Sequence, residues 1–136
     1  MFLNKNRQND SLTENTLQAS GYNIDIPSNK EIPANQYSPL SLAFLGDAVY
    51  SLLVREHILK KANRPAGQLH KMSVSYVNAA SQAKAALLLL PLLSDEETAV
   101  YKRGRNAHSS HVPKNQSDSD YRSATGLEAL FGFLYL

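Results

Sequence analysis

The chain has 136 residues, 43% of them hydrophobic, with 14 basic and 12 acidic side chains, a composition typical of one domain with a packed core. It has no cysteine, which excludes a disulfide framework and any thiolate metal site. The longest apolar run is too short to cross a bilayer, and the N-terminus lacks an apolar segment of signal-peptide length. We therefore expect a cytoplasmic protein without a membrane anchor.

Residues 1–37 differ in composition from the rest of the chain. They contain seven Asn and three Gln, have a net charge of −1 and show no sustained hydrophobic periodicity. Such a segment can bury little apolar area. We expect a flexible or poorly ordered N-terminal extension without a catalytic role, followed by one folded domain over residues 38–136.

Two helices are predicted in the first half of that domain. Ser38 suits an N-cap and Pro39 the first helical position, so a helix is expected over 39–60. It is apolar on almost every side, which predicts a central, buried helix. From Gln68 to Leu90 apolar residues recur at spacings of three and four, which predicts one long amphipathic helix.

A third, short helix is predicted after Pro91. Ser94 and Glu97 have the spacing of a capping box, which marks the start of a helix. This helix is expected to end near Lys102, with Gly104 as its C-terminal cap.

The remaining residues divide into a polar loop, 103–120, and a largely apolar helix, 121–136. No segment alternates with period two over a strand length, so the sequence predicts an all-α domain. The chain stops inside an apolar helix at Leu136 without a capping signal. We therefore expect either that the natural C-terminus differs or that the sequence is truncated.

Asp47 and Glu128 are unusual because each is a charged residue within an apolar helical run, where an unpaired carboxylate is costly to bury. Neither has a basic residue three or four positions away in its own helix. Gly46 and Gly132 lie nearby and would let two helices approach closely. Two carboxylates that meet there must share a proton, pair with a base or bind a cation, and oxygen ligands favour Mg²⁺.

A simpler interpretation of these carboxylates stays open. An Arg from elsewhere in the chain, such as Arg55 or Arg122, would neutralise Asp47 as part of a structural ion-pair network. In that case the two carboxylates would not form a metal site.

A basic segment follows the third predicted helix. Its side chains are suited to contact phosphate oxygens without reading base edges; the alternative is a solvated surface loop. His108 and His111 lie within it, and we expect them to face solvent rather than bind a metal. The candidate RNA-binding residues are Lys102, Arg103, Arg105, Asn106 and Lys114.

Five segments, in order, resemble a known family: LAFLGDAVYSLLVREHIL, LHKMSVSYVNAASQAKA, YKRGRNA, VPKN and YRSATGLEALFGFLYL. FLGDAV, residues 44–49, is similar to the signature of the ribonuclease III catalytic domain. LEALFGFLYL, residues 127–136, resembles the other conserved helix of that family. The pattern is most similar to Mini-III, the small bacterial branch made of the catalytic domain alone.

The resemblance implies a helical endonuclease domain of the ribonuclease III type that acts as a homodimer. Members cleave double-stranded RNA with Mg²⁺ and leave 5′-phosphate and 3′-hydroxyl ends. The family's catalytic, metal-binding Asp and Glu correspond to Asp47 and Glu128. Mini-III enzymes trim precursor 23S ribosomal RNA, so the implied partners are this RNA, a second copy of the chain and a large-subunit ribosomal protein.

Two departures from the wider family keep a second function open. Ala43 and Thr125 stand where ribonuclease III has Glu and Asp metal ligands, although Mini-III has the same gaps. The second hypothesis is a catalytically inactive, ribonuclease III-like RNA-binding module. A helical Mg²⁺-dependent pyrophosphatase is disfavoured because the chain has no clustered Glu pairs.

Overall fold

The structure is a computed structural model that describes residues 32–107 and 117–136. The expectations for residues 1–31, and for His108, His111 and Lys114, lie outside the described residues. The described part contains no strand, which confirms the all-α prediction. Its α-helices are α1 (Pro39–Lys61), α2 (Ala66–Val77), α3 (Ala79–Leu89), α4 (Asp95–Asn106) and α5 (Asp118–Tyr135).

Helix α1 begins as predicted but is less buried than predicted. The Ser38 hydroxyl accepts a hydrogen bond from the Ser41 amide at 3.1 Å, and Pro39 occupies the first turn. Helices α5, α2 and α4 contact α1, yet they cover only part of its surface. Phe44 is 85% exposed and Leu52 is 63% exposed. The prediction of a helix buried on all sides is wrong for the single chain.

The long helix predicted over residues 68–90 is two helices, because Asn78 interrupts it. The Asn78 backbone is extended, and its side-chain oxygen accepts from the Ser81 amide at 2.9 Å, which caps α3. Its Nδ2 group donates to the carbonyl oxygens of Val74 and Ser75 at the end of α2. An Asn side chain can thus replace backbone hydrogen bonds at a helix junction.

Helix α4 has the predicted capping box at Ser94 and Glu97 but runs beyond Lys102 to Asn106. Gly104 is a buried helical residue rather than a C-terminal cap. A Cβ at Gly104 would lie 2.6 Å from the Ala129 Cβ, so the missing side chain lets α4 pack closely against α5. The polar loop therefore starts later than the predicted residue 103.

Helix α5, rather than α1, is the central helix of the described domain. It contacts α1, α3 and α4, and Leu127, Ala129 and Leu130 on it are at most 1% exposed. It starts three residues before the predicted residue 121, where Ser117 provides the N-cap. None of the helices in the described ranges is both long and apolar enough to span a membrane.

Candidate active site

Helices α1 and α5 are in backbone contact where they cross. A Cβ placed on Gly46 would overlap the carbonyl oxygen of Glu128, and one placed on Gly132 would overlap the carbonyl oxygen of Leu42. Only glycine at both positions permits this approach. The predicted role of the two glycines is confirmed.

This crossing brings Asp47 and Glu128 together. Asp47 directly follows Gly46 and is exposed, whereas Glu128 is half-buried. The two carboxylates are close enough for the Asp47 charge to act on the titration of Glu128. One carboxylate therefore faces solvent, and the other lies at the edge of the core beside it.

The surroundings of Glu128 change its acidity. Burial raises the pKa of its carboxyl from 4.5 to about 7, and the negative charge of Asp47 adds to this increase. A hydrogen bond from Gln82 acts in the opposite direction and lowers the pKa. The carboxyl is thus near the midpoint of its titration at neutral pH, and a cation that replaced the proton would stabilise the site.

Gln82 also belongs to this site, although it was not predicted from the sequence. Its side chain is buried in α3, and its Nε2 group donates to Glu128 Oε1 at 3.1 Å and to the Val77 carbonyl oxygen at 3.0 Å. The signal in the sequence was an uncharged amide in an alanine-rich helix segment. That signal is weak, because the contact with Glu128 joins residues far apart in the chain.

The described residues do not support neutralisation by Arg55 or Arg122. Arg122 Nε pairs with Asp118 Oδ2 at 2.8 Å on its own helix, and Arg55 lines a separate cavity between α1 and α2. Within residues 32–107 and 117–136, neither Asp47 nor Glu128 forms an ion pair. The carboxylate pair therefore keeps its capacity for a cation.

An aromatic pair lies one helical turn after the carboxylates and reinforces the crossing. The rings of Tyr50 and Phe131 meet edge to face, with centroids 5.4 Å apart and an interplanar angle of 75°. The Tyr50 hydroxyl donates to the Tyr76 carbonyl oxygen at 3.2 Å, which connects α1 to α2. Edge-to-face aromatic pairs are favourable, so the contact between Tyr50 and Phe131 helps to hold α1 and α5 in register.

The donor set at the crossing fits a largely hydrated Mg²⁺ rather than a cage of protein ligands. The described residues contain no group of three or more His, Cys, Asp or Glu that could hold a metal. Ala43 is buried, and the buried Thr125 hydroxyl donates to the Tyr121 carbonyl oxygen at 3.1 Å. Two carboxylates are sufficient for an ion that usually keeps several of its waters.

The basic residues form a second candidate region at the C-terminal end of α4. Lys102, Arg103, Arg105 and Asn106 are exposed there, and none of the three cationic side chains has an ion-pair partner in the described part of the chain. Arg103, Arg105 and Asn106 lie on this helix rather than in the predicted loop. Gly104 packs against α5, so these charges have a rigid support.

Known proteins match this chain in sequence and in fold. A family model of the ribonuclease III domain matches residues 40–136. The Mini-ribonuclease 3 of Brevibacillus brevis is 52% identical over 102 residues, covering 75% of this chain and 76% of that protein. The Mini-ribonuclease 3 of a Thermoanaerobacter species is 50% identical over 99 residues, covering 73% and 70%.

A crystal structure of a protein from Fusobacterium nucleatum has a TM-score of 0.68 at 31% identity, over 77% of this chain and 84% of that chain. The fold and these matches together define a helical endoribonuclease domain. The chain belongs to the ribonuclease III family, where it groups with the Mini-ribonuclease 3 proteins.

Proposed function

We propose that the chain is a Mg²⁺-dependent endoribonuclease that cleaves double-stranded RNA, with Asp47 and Glu128 as its catalytic, metal-binding residues. This proposal rests on one observation. The two carboxylates lie near each other where α1 and α5 cross at Gly46 and Gly132, and neither has an ion-pair partner among the described residues. The domain that performs the reaction spans residues 38–136, with residues 1–37 as an extension outside the chemistry.

The reaction proposed is hydrolysis of a phosphodiester. Water adds across the bond between phosphorus and the 3′ oxygen, so that the hydroxyl stays on the 5′-phosphate and the proton goes to the 3′ oxygen. A bound Mg²⁺ would supply positive charge that stabilises the phosphorane-like transition state. Asp47 offers an exposed carboxylate, while Glu128 offers a carboxylate held by Gln82.

The RNA surface is proposed to include the basic end of α4. The exposed side chains there present positive charge without an ion-pair partner in the described residues. Such charges bind a duplex through phosphates and shape rather than sequence. The proposed contacts are Lys102, Arg103, Arg105, Asn106 and, outside the described residues, Lys114.

The exposed apolar surface of α1 supports the proposal of a homodimer. Phe44, Leu52 and Leu59 are each more than half exposed, and their spacing places them on one side of α1, as is typical of an interface. A two-fold dimer would present two equivalent sites to the two strands of a duplex.

The further proposals are that the substrate is precursor 23S ribosomal RNA, that a large-subunit ribosomal protein assists and that the site of action is the cytoplasm. They depend on the Mini-III resemblance.

The experiment that tests this function is a cleavage assay on end-labelled duplex RNA with Asp47→Asn and Glu128→Gln. Each variant keeps the side-chain shape and removes the charge, so we expect a rate loss on the order of 10³-fold. RNA binding measured in Ca²⁺ should remain within a few-fold of wild type. Asp95→Asn, an exposed acid in the first turn of α4, is the matched control and should cleave normally.

The outcome that would contradict the proposal is near wild-type cleavage by either site variant. Wild-type protein that binds the duplex in Mg²⁺ without cutting it would instead indicate an RNA-binding module.

A further inference from the structure

The buried side chain of Gln82 connects three helices at the candidate active site. It is 3% exposed. Both hydrogens of its Nε2 group are used, one by the last carbonyl oxygen of α2, that of Val77, at 3.0 Å and one by Glu128 Oε1 at 3.1 Å. Gln82 thus ties the α2–α3 junction to a carboxylate on α5.

The orientation of this amide is fixed by its two acceptors. If the oxygen and nitrogen exchanged places, the amide oxygen would face the Val77 carbonyl oxygen and the Glu128 carboxylate, and neither can donate when Glu128 is ionised. Gln82 must therefore present its donor to Glu128. Because Gln82 is the only hydrogen-bond partner of Glu128 within the described residues, it alone restrains that side chain by hydrogen bonding.

Packing alone does not explain a glutamine at this position. The Gln82 Oε1 atom is buried and has no hydrogen-bond partner among the described residues. A buried acceptor without a partner is unfavourable for folding, and a methionine of similar shape would avoid that cost. An apolar side chain would lose the hydrogen bonds to both the Val77 carbonyl oxygen and Glu128, and only the second of these acts on the candidate site.

The neutral charge of Gln82 is also significant. A Lys or Arg in its place would pair with Glu128 and compete with a cation for the carboxylate. An amide donor orients one carboxylate oxygen while leaving the negative charge uncompensated. The second oxygen, Oε2, has no hydrogen bond to another described residue.

We infer that Gln82 is a positioning residue, whose Nε2 group fixes the Glu128 carboxylate beside Asp47 in the orientation that binds the divalent cation. This inference deepens the proposed function and rests on it. In other metal sites, loss of a residue that orients a ligand reduces metal affinity or activity by about 10- to 100-fold. We expect the same range here.

The test uses the variant Gln82→Met, in which the side chain keeps its length and its apolar burial but loses the Nε2 hydrogen-bond donor. Mg²⁺ is titrated into RNA-free protein by calorimetry, and the Mg²⁺ concentration for half-maximal cleavage is measured in single-turnover assays. Both values should rise by about 10-fold or more, and saturating Mg²⁺ should restore much of the cleavage rate. Duplex binding without metal should be unchanged.

Ser73→Ala is the matched control. Ser73 is also buried, and its hydroxyl donates to the His70 carbonyl oxygen at 2.8 Å within α2. This variant loses a buried donor away from the carboxylates, so its Mg²⁺ dependence should equal that of wild type. A folded Gln82→Met protein with wild-type Mg²⁺ dependence would overturn the inference.

A measurement on wild-type protein decides the question if Gln82→Met does not fold. The Gln82 side-chain amide resonances are followed by NMR during a Mg²⁺ titration. They should shift with the same midpoint as the Asp47 backbone amide, and unchanged Gln82 resonances alongside a shifting Asp47 would overturn the inference. Failure of the proposed function is distinct, since wild-type protein would then show no Mg²⁺-dependent cleavage at all.

Discussion

The α1–α5 crossing and the basic end of α4 are built in opposite ways. At the crossing, two helices meet at glycine positions, and Glu128 is held at the edge of the core by one buried amide. At the end of α4, Arg103 and Arg105 extend into solvent, and only the helix that carries them is packed. The first region fixes the positions of atoms, whereas the second supplies charge.

This difference indicates how each region should respond to substitution. A carboxylate pair that must share a cation depends on small displacements, since a shift of about 1 Å can cost on the order of 10²-fold in rate. A phosphate-binding surface depends on the number of charges and tolerates movement of each side chain. A single substitution at the crossing should therefore cause a large loss of cleavage, whereas each substitution at the end of α4 should cause only a small loss of RNA binding.

The largest effect on the fold is expected from Gly46→Ala. The added methyl group would overlap the backbone of Glu128, which no rotamer change can relieve, so α1 and α5 must move apart. We expect a loss of about 3 kcal/mol in the free energy of unfolding, measured by urea denaturation. Cleavage by the folded fraction should also fall, because the carboxylates separate.

Gly67→Ala provides the matched control for that substitution. Gly67 lies in the first turn of α2, and a Cβ there would meet no atom within 4 Å. Alanine is a better helix former than glycine, so stability should stay constant or rise by about 0.5–1 kcal/mol. Equal destabilisation by both substitutions would contradict the close packing at the crossing.

The two carboxylates of the crossing could be identified from sequence because they carry local signals, although their meeting remained conditional on how the helices pack. Asp47 and Glu128 are each a charge within an apolar helical run with a glycine nearby, a pattern that left both a cation site and a structural ion pair open. Gln82 gave no such signal, since a neutral amide fits many environments and its partner is 46 positions away. Long-range hydrogen bonds of neutral groups are set by packing, which hydrophobic periodicity does not encode.

The helix boundaries show a related limit. The apolar spacing continues through Asn78, so it did not reveal that this side chain ends one helix and caps the next. Glycine is equally ambiguous, since Gly104 suits both a C-terminal cap and a close helix contact. Only the packing of α4 against Ala129 selects the second role.

The second prediction concerns the pH dependence of stability in EDTA. Because burial raises the pKa of Glu128 from 4.5 to about 7, the folded state binds this proton more tightly than the unfolded state does. The contribution of the group to stability is fully present below about pH 4.5 and decreases as pH rises towards about 7. The melting temperature of wild-type protein should therefore fall relative to that of Glu128→Gln across this window.

The same melting experiment repeated with Mg²⁺ tests whether the ionised carboxylates bind a cation. A cation bound by the ionised pair stabilises the folded state by mass action, so it should raise the melting temperature of wild-type protein more at pH 8 than at pH 5. Parallel curves for wild type and Glu128→Gln over the whole range would contradict the burial of a titrating carboxyl at the crossing.

A more gradual effect is expected at the basic end of α4 from the double substitution Arg103→Ala and Arg105→Ala. Removal of two cationic side chains should weaken duplex binding at every sequence and reduce the slope of log K against log salt by about one unit for each arginine replaced. Binding is measured by fluorescence anisotropy in Ca²⁺ at several salt concentrations. The control is Arg64→Ala, on the exposed connection between α1 and α2. If this variant changed the salt slope by as much for each arginine, the basic end of α4 would not be the specific RNA contact.

The smallest effect is expected from Arg122→Gln, which tests whether an arginine takes part in the crossing. The Arg122–Asp118 pair is exposed and spans one turn of α5, and such pairs contribute about 0.5 kcal/mol or less. Urea denaturation should therefore detect little change, and the Mg²⁺ concentration for half-maximal cleavage should stay at the wild-type value. A several-fold decrease in that concentration would show that Arg122 competes with the cation for the carboxylates, and the crossing would then be an ion-pair network of the kind that the sequence left open.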